Sequence, residues 1–246
     1  MNLLVNIGNT HTEWGTLEEV SSGKIHKLKT EDLLQLTSPF EGYKTEEITL
    51  FCSCVIPQVK RIISERFKNT AFIHYKDAES MGVSFEKVTP DTIGADRLCN
   101  AIYVANTFKK ATLIIDIGTA INCELIDGKG TFLGGVIAPG RRLALQAMHQ
   151  GTGQLPALVP MQTQNKLCNN TTASTMQNGV HMATIGFIKE IIFKGYQQFG
   201  EELNLILTGG DMYIFIDELK ENFDVTGDPI ISLKGLKLWY ESQKSF

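Results

Sequence analysis

The chain has 246 residues, of which 43% are hydrophobic and 20% are charged, a composition typical of a folded globular protein. Its net charge of −4 argues against a general nucleic-acid-binding role, because such proteins need a basic face to displace counterions from phosphates. The length predicts one large or two medium domains.

The first residues, the apolar runs and the cysteines indicate the cellular compartment of the protein. The first ten residues carry no basic segment and only a short apolar run, which does not predict a signal peptide. No apolar run approaches the roughly 20 residues of a membrane helix. The cysteines are odd in number, which favours reduced thiols over a disulfide framework; they are Cys52, Cys54, Cys99, Cys123 and Cys168. We expect a cytoplasmic protein with no membrane partner.

In chain order, the first half alternates strands and helices. Residues 3–17 predict a strand, a glycine turn and a second strand. A buried strand over 47–56 ends before Pro57, which suits the first turn of a helix. The remaining elements predicted in this half are a helix over 57–69, a strand over 71–76 and an amphipathic helix over 92–110.

The second half begins with the same strand, turn and strand, over residues 111–127. The segment "DGKG" at 127–130 predicts a tight turn into another strand. The later predictions are a strand over 131–140, a helix opening at 141, a long helix over 175–200 with a glycine stop, a strand over 203–211, and a short strand and a helix within 223–243.

The two halves share a local pattern. Ile7-Gly8 aligns with Ile117-Gly118, and Asn6 aligns with Asp116 at an offset of 110 residues (116 − 6). The repeat predicts a mixed α/β protein of two related domains, 1–110 and 111–246. One copy thus carries a carboxylate where the other carries its neutral isostere.

Three glycine turns follow apolar strands, at Gly8, Gly118 and Gly209-Gly210. Such turns let a backbone approach a ligand closely and leave amides for an anion. An ordinary hairpin is the alternative at each single turn, and the three together favour a phosphate site. The patterns of a P-loop and of a Rossmann dinucleotide site do not occur.

Two acidic residues occupy positions suited to chemistry. Asp116 ends a very apolar strand, where a charge is costly unless it binds a cation or several donors; an Asx-turn is the alternative. Asp96 and Arg97 stand at the start of a predicted long helix. They could act as a general base beside a cationic substrate clamp. The alternative is that Asp96 only complements the helix dipole. Local sequence leaves both pairs of alternatives open.

The motifs, taken together, resemble those of type III pantothenate kinases, members of the acetate- and sugar-kinase, Hsp70 and actin superfamily. The resemblance covers the whole chain in order. The matching segments are "NIGNT" at 6–10, "PDTIGADR" at 90–97, "DIGTA" at 116–120, "GGVIAPG" at 134–140, "QLP" at 154–156, "MQNG" at 176–179, "TGG" at 208–210 and the closing "LKGLKLWYE".

The resemblance implies a fold, a reaction and its requirements. The fold would be two ribonuclease-H-like α/β domains of the actin-like ATPase type, with a nucleotide cleft between them. The reaction would be ATP-dependent phosphorylation of pantothenate, the first step of coenzyme A synthesis. Such enzymes need Mg²⁺ and a monovalent cation, K⁺ or NH₄⁺, and are typically homodimers.

The resemblance also implies residue roles. Asp96 would accept the proton of the substrate hydroxyl, and Asp116 would hold the monovalent cation. The predicted pantothenate-binding residues are Gly94, Ala95, Asp96, Arg97 and Thr172. The predicted ATP-binding residues are Asn6, Ile7, Gly8, Asn9, Thr10, His11, Thr12, Glu13 and Thr119.

Two departures from the family pattern concern these roles. The family has aspartate where this chain has Asn6, which keeps one carbonyl oxygen but loses the charge. It also has a pantothenate-contacting tyrosine where Lys87 stands here, with Phe85 the nearest aromatic residue. Two other hypotheses therefore accompany the kinase: a catalytically weakened relative that binds a nucleotide or a partner, and a different kinase of the superfamily.

Overall fold

The computed structural model describes residues 1–34, 47–162 and 166–244. The strands in this part are β1 (Asn2–Ile7), β2 (His11–Gly15), β3 (His26–Lys29), β4 (Thr49–Cys54), β5 (Thr70–Phe72), β6 (Thr112–Ile117), β7 (Ala120–Ile126), β8 (Phe132–Pro139), β9 (Asn204–Thr208) and β10 (Val225–Gly227). The helices are α1 (Leu17–Ser21), α2 (Thr30–Leu34), α3 (Pro57–Arg66), α4 (Tyr75–Ser80), α5 (Ala95–Thr107), α6 (Arg141–Gly151), α7 (Thr172–Phe199), α8 (Met212–Lys220) and α9 (Ile231–Gln243). Among these helices, none is long and apolar enough to cross a membrane.

The first sheet has the strand order β3-β2-β1-β4-β5. β1 pairs antiparallel with β2 and parallel with β4, so β1 is the central strand. Side chains alternate along a strand, and Leu3, Val5 and Ile7 accordingly join one core cluster with Val59 and Ile63 of α3. The predicted proline start of α3 is confirmed, since Pro57 is its first residue.

The other residues of β1 and β4 face α5 and α9. The Asn2 side chain donates a hydrogen bond to the Tyr240 hydroxyl at 2.7 Å, and Phe51 packs edge-on against Trp239. Gly235 of α9 lies so close to α5 that an added Cβ would overlap the Cys99 carbonyl. The C-terminal helix is therefore packed with the first half of the chain.

The second sheet has the order β10-β9-β6-β7-β8. Its first strand in sequence, β6, is again central, with the next two strands on one side and the last two on the other. β9 pairs parallel with β6 and with β10. The repeat predicted from Gly8 and Gly118 is thus matched by a repeated sheet order, with the apolar residues of β6 and β9 packed against α7 and α8.

The chain forms two compact units, each built from segments that are distant in sequence. The first comprises Met1–Lys109, Ile126–Leu133 and Ile230–Phe246, and the second comprises Lys110–Leu125 and Gly134–Pro229. The chain first passes from one unit to the other between Lys109 and Lys110. Packing assigns the β7–β8 turn and α9 to the first unit. The division into domains 1–110 and 111–246 stays a prediction.

Several helices differ from the sequence-based expectations. The strand predicted over 71–76 ends at Phe72, and a short helix begins at Tyr75, where His74 and Asp77 form a reciprocal capping box. The helix α8 after the paired glycines was not predicted. The long helix is confirmed, since α7 runs Thr172–Phe199 and ends at Gly200, whose φ of +71° favours glycine.

Two glycine substitutions should separate close packing from helix propensity. Gly235→Ala should lower the free energy of unfolding by about 1–3 kcal/mol, because its Cβ would meet the Cys99 backbone. Gly186→Ala, in an open position of α7, should raise the free energy of unfolding by about 0.5–1 kcal/mol. Urea unfolding of both variants checks the pair, and equal midpoints would contradict the packing described for α5 and α9.

Candidate functional site

Thr30 fixes the turn between β1 and β2 through two hydrogen bonds. Gly8 donates its N–H to the His11 carbonyl at 3.0 Å, and the Thr30 hydroxyl donates to the Gly8 carbonyl at 2.7 Å. Thr30 also donates its backbone N–H to the Thr10 carbonyl at 2.9 Å. These bonds present Asn9, Thr10 and His11 at the surface. Thr30 was not predicted, because it lies outside every motif.

The other predicted ATP-binding residues of this segment differ in exposure. Ile7 and Thr12 are fully buried, so only their backbone groups could reach a ligand. Thr12 instead contacts Thr30 through the two hydroxyls, at 3.1 Å. Glu13 is half-buried, and its carboxylate accepts a hydrogen bond from the Lys27 ammonium group at 2.7 Å.

Asn6 and Ser53 place two polar side chains on one face of the first sheet. They are register partners in the parallel β1–β4 pair, so their side chains point the same way. Among the described residues, neither Asn6 Oδ1 nor Ser53 Oγ has a partner at hydrogen-bond geometry, although both atoms are buried. The Cys99 thiol of α5 lies beside Ser53. Buried polar atoms without partners are costly, which marks this face as a candidate for a polar ligand.

Asp96 lies in the first turn of α5, on the side of Cys99. Its Oδ1 accepts the Arg97 backbone N–H at 2.8 Å. An added Cβ at Gly94 would stand 2.7 Å from this oxygen, so glycine makes room for the carboxylate. Burial raises the pKa of the Asp96 carboxyl above its ordinary value, and the Arg97 N–H and charge offset part of that rise.

Arg97 is half-buried, and its guanidinium carbon lies over the Phe132 ring, 5.6 Å from the centroid. Phe85 packs on the same ring, with centroids 5.9 Å apart, and is itself buried. Lys87 is exposed. Phe85 therefore packs in the core of this unit, and the exposed position 87 carries a lysine.

The second unit brings its glycine turns together around Asp116. Gly209 has a φ of +88°, and an added Cβ would overlap Asp116 Oδ1 and stand 2.5 Å from the Ile117 carbonyl. The Asp211 N–H donates to that carbonyl at 2.9 Å. Only glycine allows so close an approach, so the "TGG" turn and the end of β6 form one backbone surface beside the Asp116 carboxylate.

The predicted threonines of this unit lie at the surface. Thr119 is exposed in the β6–β7 turn, where its carbonyl accepts the Gly140 N–H at 3.0 Å. Thr172 is the exposed first residue of α7. The neighbouring Thr171 caps that helix through the Ser174 N–H, and the Thr175 hydroxyl donates to the Thr171 carbonyl.

A charged cluster next to the "TGG" turn was missed by sequence reasoning. The buried Arg141 guanidinium lies 3.7 Å from the Asp211 carboxylate and over the Phe215 ring. His181 stacks on Phe215, with Nε2 3.6 Å from the Glu218 carboxylate. Burial raises the pKa of the Asp211 carboxyl and lowers that of His181. The sequence signal for this cluster was the charged residue that directly follows each of two glycine motifs, Arg141 after "GGVIAPG" and Asp211 after "TGG".

The predicted site residues thus form two groups, one in each unit. In the first unit, Asn6 and Ser53 share one sheet face, and Cys99 of α5 lies near both Ser53 and Asp96. In the second unit, Asp116 lies beside the glycine turns. Within the described ranges, no three His, Cys, Asp or Glu side chains are arranged to hold a metal ion by themselves.

Comparison with known proteins is consistent along the whole chain. A family model described as type III pantothenate kinase matches residues 2–194. A type III pantothenate kinase of Fervidobacterium nodosum is 31% identical over 263 aligned positions, covering 100% of this chain and 99% of that protein. Those of Syntrophobacter fumaroxidans and Thermosipho melanesiensis are 30% and 28% identical, with at least 98% of this chain and 99% of each relative covered.

Solved structures show the same fold at low identity. A Campylobacter jejuni protein described as a Baf family transcriptional activator has a TM-score of 0.64 at 18% identity, with 99% of this chain and 100% of that chain covered. A ParM mutant has a TM-score of 0.53 at 8% identity, with 100% and 99% covered. The predicted fold class, a two-domain α/β fold of the actin-like ATPase type, is confirmed.

Replacing Asp96 by its neutral isostere should stabilise the protein at neutral pH. The pKa of Asp96 is raised in the folded state, so its contribution to stability is present at low pH and is lost as the pH rises through the folded pKa. Asp96→Asn has no such loss while it keeps an acceptor for the Arg97 N–H. Its unfolding free energy should exceed that of the unaltered chain by more at pH 7 than at pH 4.

Denaturant unfolding at the two pH values measures this difference, with Asp91→Asn, an exposed carboxylate five residues earlier in the chain, as the control. The same pH dependence in both variants would show that burial of Asp96 is not its cause.

Proposed function

Because the chain belongs to the type III pantothenate kinase family, we propose that it transfers the γ-phosphate of ATP to the hydroxyl group of pantothenate, the first step of coenzyme A synthesis. The structural observation that carries this proposal is the Asp96 carboxylate. It stands at the start of α5, buried enough to raise its pKa and accompanied by Arg97.

In this proposal Asp96 is the general base. Phosphoryl transfer depends on positioning and on neutralisation of charge, and its base has only to accept the hydroxyl proton as the oxygen attacks. A raised pKa makes the carboxylate a better acceptor for that proton. The Arg97 guanidinium binds the carboxylate of pantothenate by charge-assisted hydrogen bonds, and Gly94 and Ala95 let the substrate approach the start of α5.

The nucleotide-binding roles fall to the glycine turns. In the first unit, the segment Asn6–Glu13 offers the exposed side chains of Asn9, Thr10 and His11 and the backbone around Gly8 to the phosphates. In the second unit, Thr119 contacts ATP from the β6–β7 turn. The bonds from Thr30 support the first of these assignments, because they hold the turn in one conformation.

The residues present fit the cations that the family implies. Asn6 Oδ1 is a buried acceptor without a partner among the described residues, which suits a water molecule bound to Mg²⁺. The Asp116 carboxylate, half-buried beside the glycine turns, suits a monovalent cation, K⁺ or NH₄⁺. Bound Mg²⁺ would neutralise phosphate charge, and it commonly keeps several waters and few protein ligands.

The remaining parts of the proposal concern Thr172 and assembly. The Thr172 side chain is exposed at the start of α7, while its threonine neighbours serve the helix end, which supports Thr172 as the pantothenate-binding residue. A homodimer is supported by exposed apolar residues of the second unit. They include Val136, Ile137, Leu143, Val159, Met161 and Leu167. A cytoplasmic location accords with the use of ATP.

The hypothesis of a catalytically weakened relative is less well supported. It rests on Asn6 and on the absence of the family tyrosine, whereas relatives aligned over their whole length carry the kinase name. A different kinase of the superfamily would share the fold and differ in the acceptor, so a panel of hydroxyl substrates distinguishes it.

The assay is release of ADP in the presence of ATP, Mg²⁺ and K⁺. We expect turnover that depends on pantothenate, and its loss in Asp96→Asn with ATP binding retained. Because Asp96 must be ionised to act, the acid limb of kcat/KM should lie above about 3.9, the pKa of an ordinary aspartate. Nucleotide binding without turnover would favour the weakened relative instead.

Asn6→Asp tests the metal assignment directly. A carboxylate at position 6 should bind hydrated Mg²⁺ more strongly than a carboxamide does, so the Mg²⁺ concentration for half-maximal turnover should fall. Titration of Mg²⁺ at fixed ATP measures this change in both forms. An unchanged Mg²⁺ dependence would separate residue 6 from the metal.

A further inference from the structure

A row of aromatic rings runs through the first unit and ends at Arg97. Tyr75 packs edge-on against Phe85, with centroids 6.4 Å apart. Phe85 packs against Phe132 at 5.9 Å, and the Arg97 guanidinium carbon lies 5.6 Å from the Phe132 centroid. Phe85 and Phe132 are buried. Phe85, itself packed against Tyr75, therefore holds the Phe132 ring in place next to the guanidinium.

Phe132 enters this row from the turn between β7 and β8. Its N–H donates to the Ser84 carbonyl at 2.8 Å, and the Ser84 N–H donates to the Gly130 carbonyl at 3.0 Å. Gly130 has a φ of +87°, and an added Cβ would stand 2.5 Å from the Gly82 carbonyl. The turn is thus fastened to the segment that carries Phe85, although the strands around it continue into the second unit.

The turn is also rigid in itself. The Asp127 side chain accepts the N–H groups of Lys129 and Thr131, at 2.9 and 2.8 Å. The Gly130 N–H donates to the Asp127 carbonyl at 3.0 Å. The position of Phe132 is therefore set by backbone bonds on both sides, before any contact with Arg97.

An arginine side chain has several rotatable bonds, and holding it in one geometry costs entropy. An aromatic face attracts the guanidinium without using any of its N–H donors. The Phe132 ring therefore restricts the Arg97 side chain without forming a hydrogen bond to it. Recognition of a carboxylate by a guanidinium uses paired N–H groups.

We propose that Phe132 is a positioning residue for Arg97, and that it sets the preference of the site for a substrate that ends in a carboxylate over a neutral analogue. The proposal rests on the proposed function and goes beyond it, because it gives the β7–β8 turn a part in substrate selection. Phe132 acts through Arg97 and has no contact of its own with the reacting atoms.

The experiment compares Phe132→Leu, Phe132→Tyr and Phe85→Leu in the full chain. Substrates are pantothenate and pantothenol, in which a neutral alcohol replaces the carboxylate. Phe132→Leu should raise KM for pantothenate about fivefold, the size of a typical cation–π contact, with kcat and the KM for ATP little changed. The preference for pantothenate over pantothenol should fall by the same factor.

Phe132→Tyr keeps the ring and should restore the preference. Phe85→Leu is the matched control, because it removes a neighbouring ring of the row but leaves the Phe132 contact with Arg97 in place. An equal loss of preference in Phe85→Leu would assign the effect to core packing and overturn the proposal, as would an unchanged preference in Phe132→Leu.

A second readout does not depend on turnover. In the ligand-free protein, the NMR signal of the Arg97 Nε–H should carry a ring-current shift that disappears in Phe132→Leu and persists in Phe85→Leu. An unaltered Arg97 signal in Phe132→Leu would overturn the proposal. Absence of pantothenate turnover in the unaltered chain, with the Arg97 shift still dependent on Phe132, would contradict the proposed function and confine the role of Phe132 to holding Arg97.

Discussion

The approach of helix α9 to helix α5 is the constraint on which the first half of the site depends. Gly235 lies against the Cys99 carbonyl with no room for a side chain, and the two helices share the face of the sheet that carries Asn2, Asn6 and Ser53. The start of α5 is therefore held at a set position relative to β1 and β4. Asp96 acquires its burial from that position, and its raised pKa follows from the burial.

The same packing bears on the difference between Asn6 and Asp116. Asn6 shares its sheet face with Ser53, and Cys99 of α5 lies near both Ser53 and the Asp96 carboxyl. Asn6 is neutral, so its side chain adds no negative charge to this face of the sheet. Asp116 lies instead beside the turn that leads to Asp211 and its Arg141 partner. The two repeats thus place a neutral carboxamide and a carboxylate in different electrostatic surroundings.

Much of the architecture was predictable from local patterns. The strand–turn–strand units at Gly8 and Gly118, the proline start of α3 and the glycine end of α7 each follow from residues close in sequence. The strand predicted over 71–76 ran into the start of helix α4, because the capping box of His74 and Asp77 has no apolar periodicity. The order of motifs allowed the family to be recognised, and the comparisons bear that out.

The sequence alone determined the two repeated turns, the class of fold, the family and the identity of the candidate base. The turns and the mixed α/β pattern follow from the local order of residues, whereas the family and the candidate base come from the resemblance of the ordered motifs to a known family. Only the tertiary structure decided that α9 packs with the first half, that Thr30 fastens the Gly8 turn and that Phe132 lies beneath Arg97. The contact of Thr30 with Gly8 joins residues 22 positions apart, and that of Phe132 with Arg97 joins residues 35 positions apart. The packing of α9 joins residues more than 130 positions apart. They depend on how the sheets and helices pack, which no local periodicity encodes.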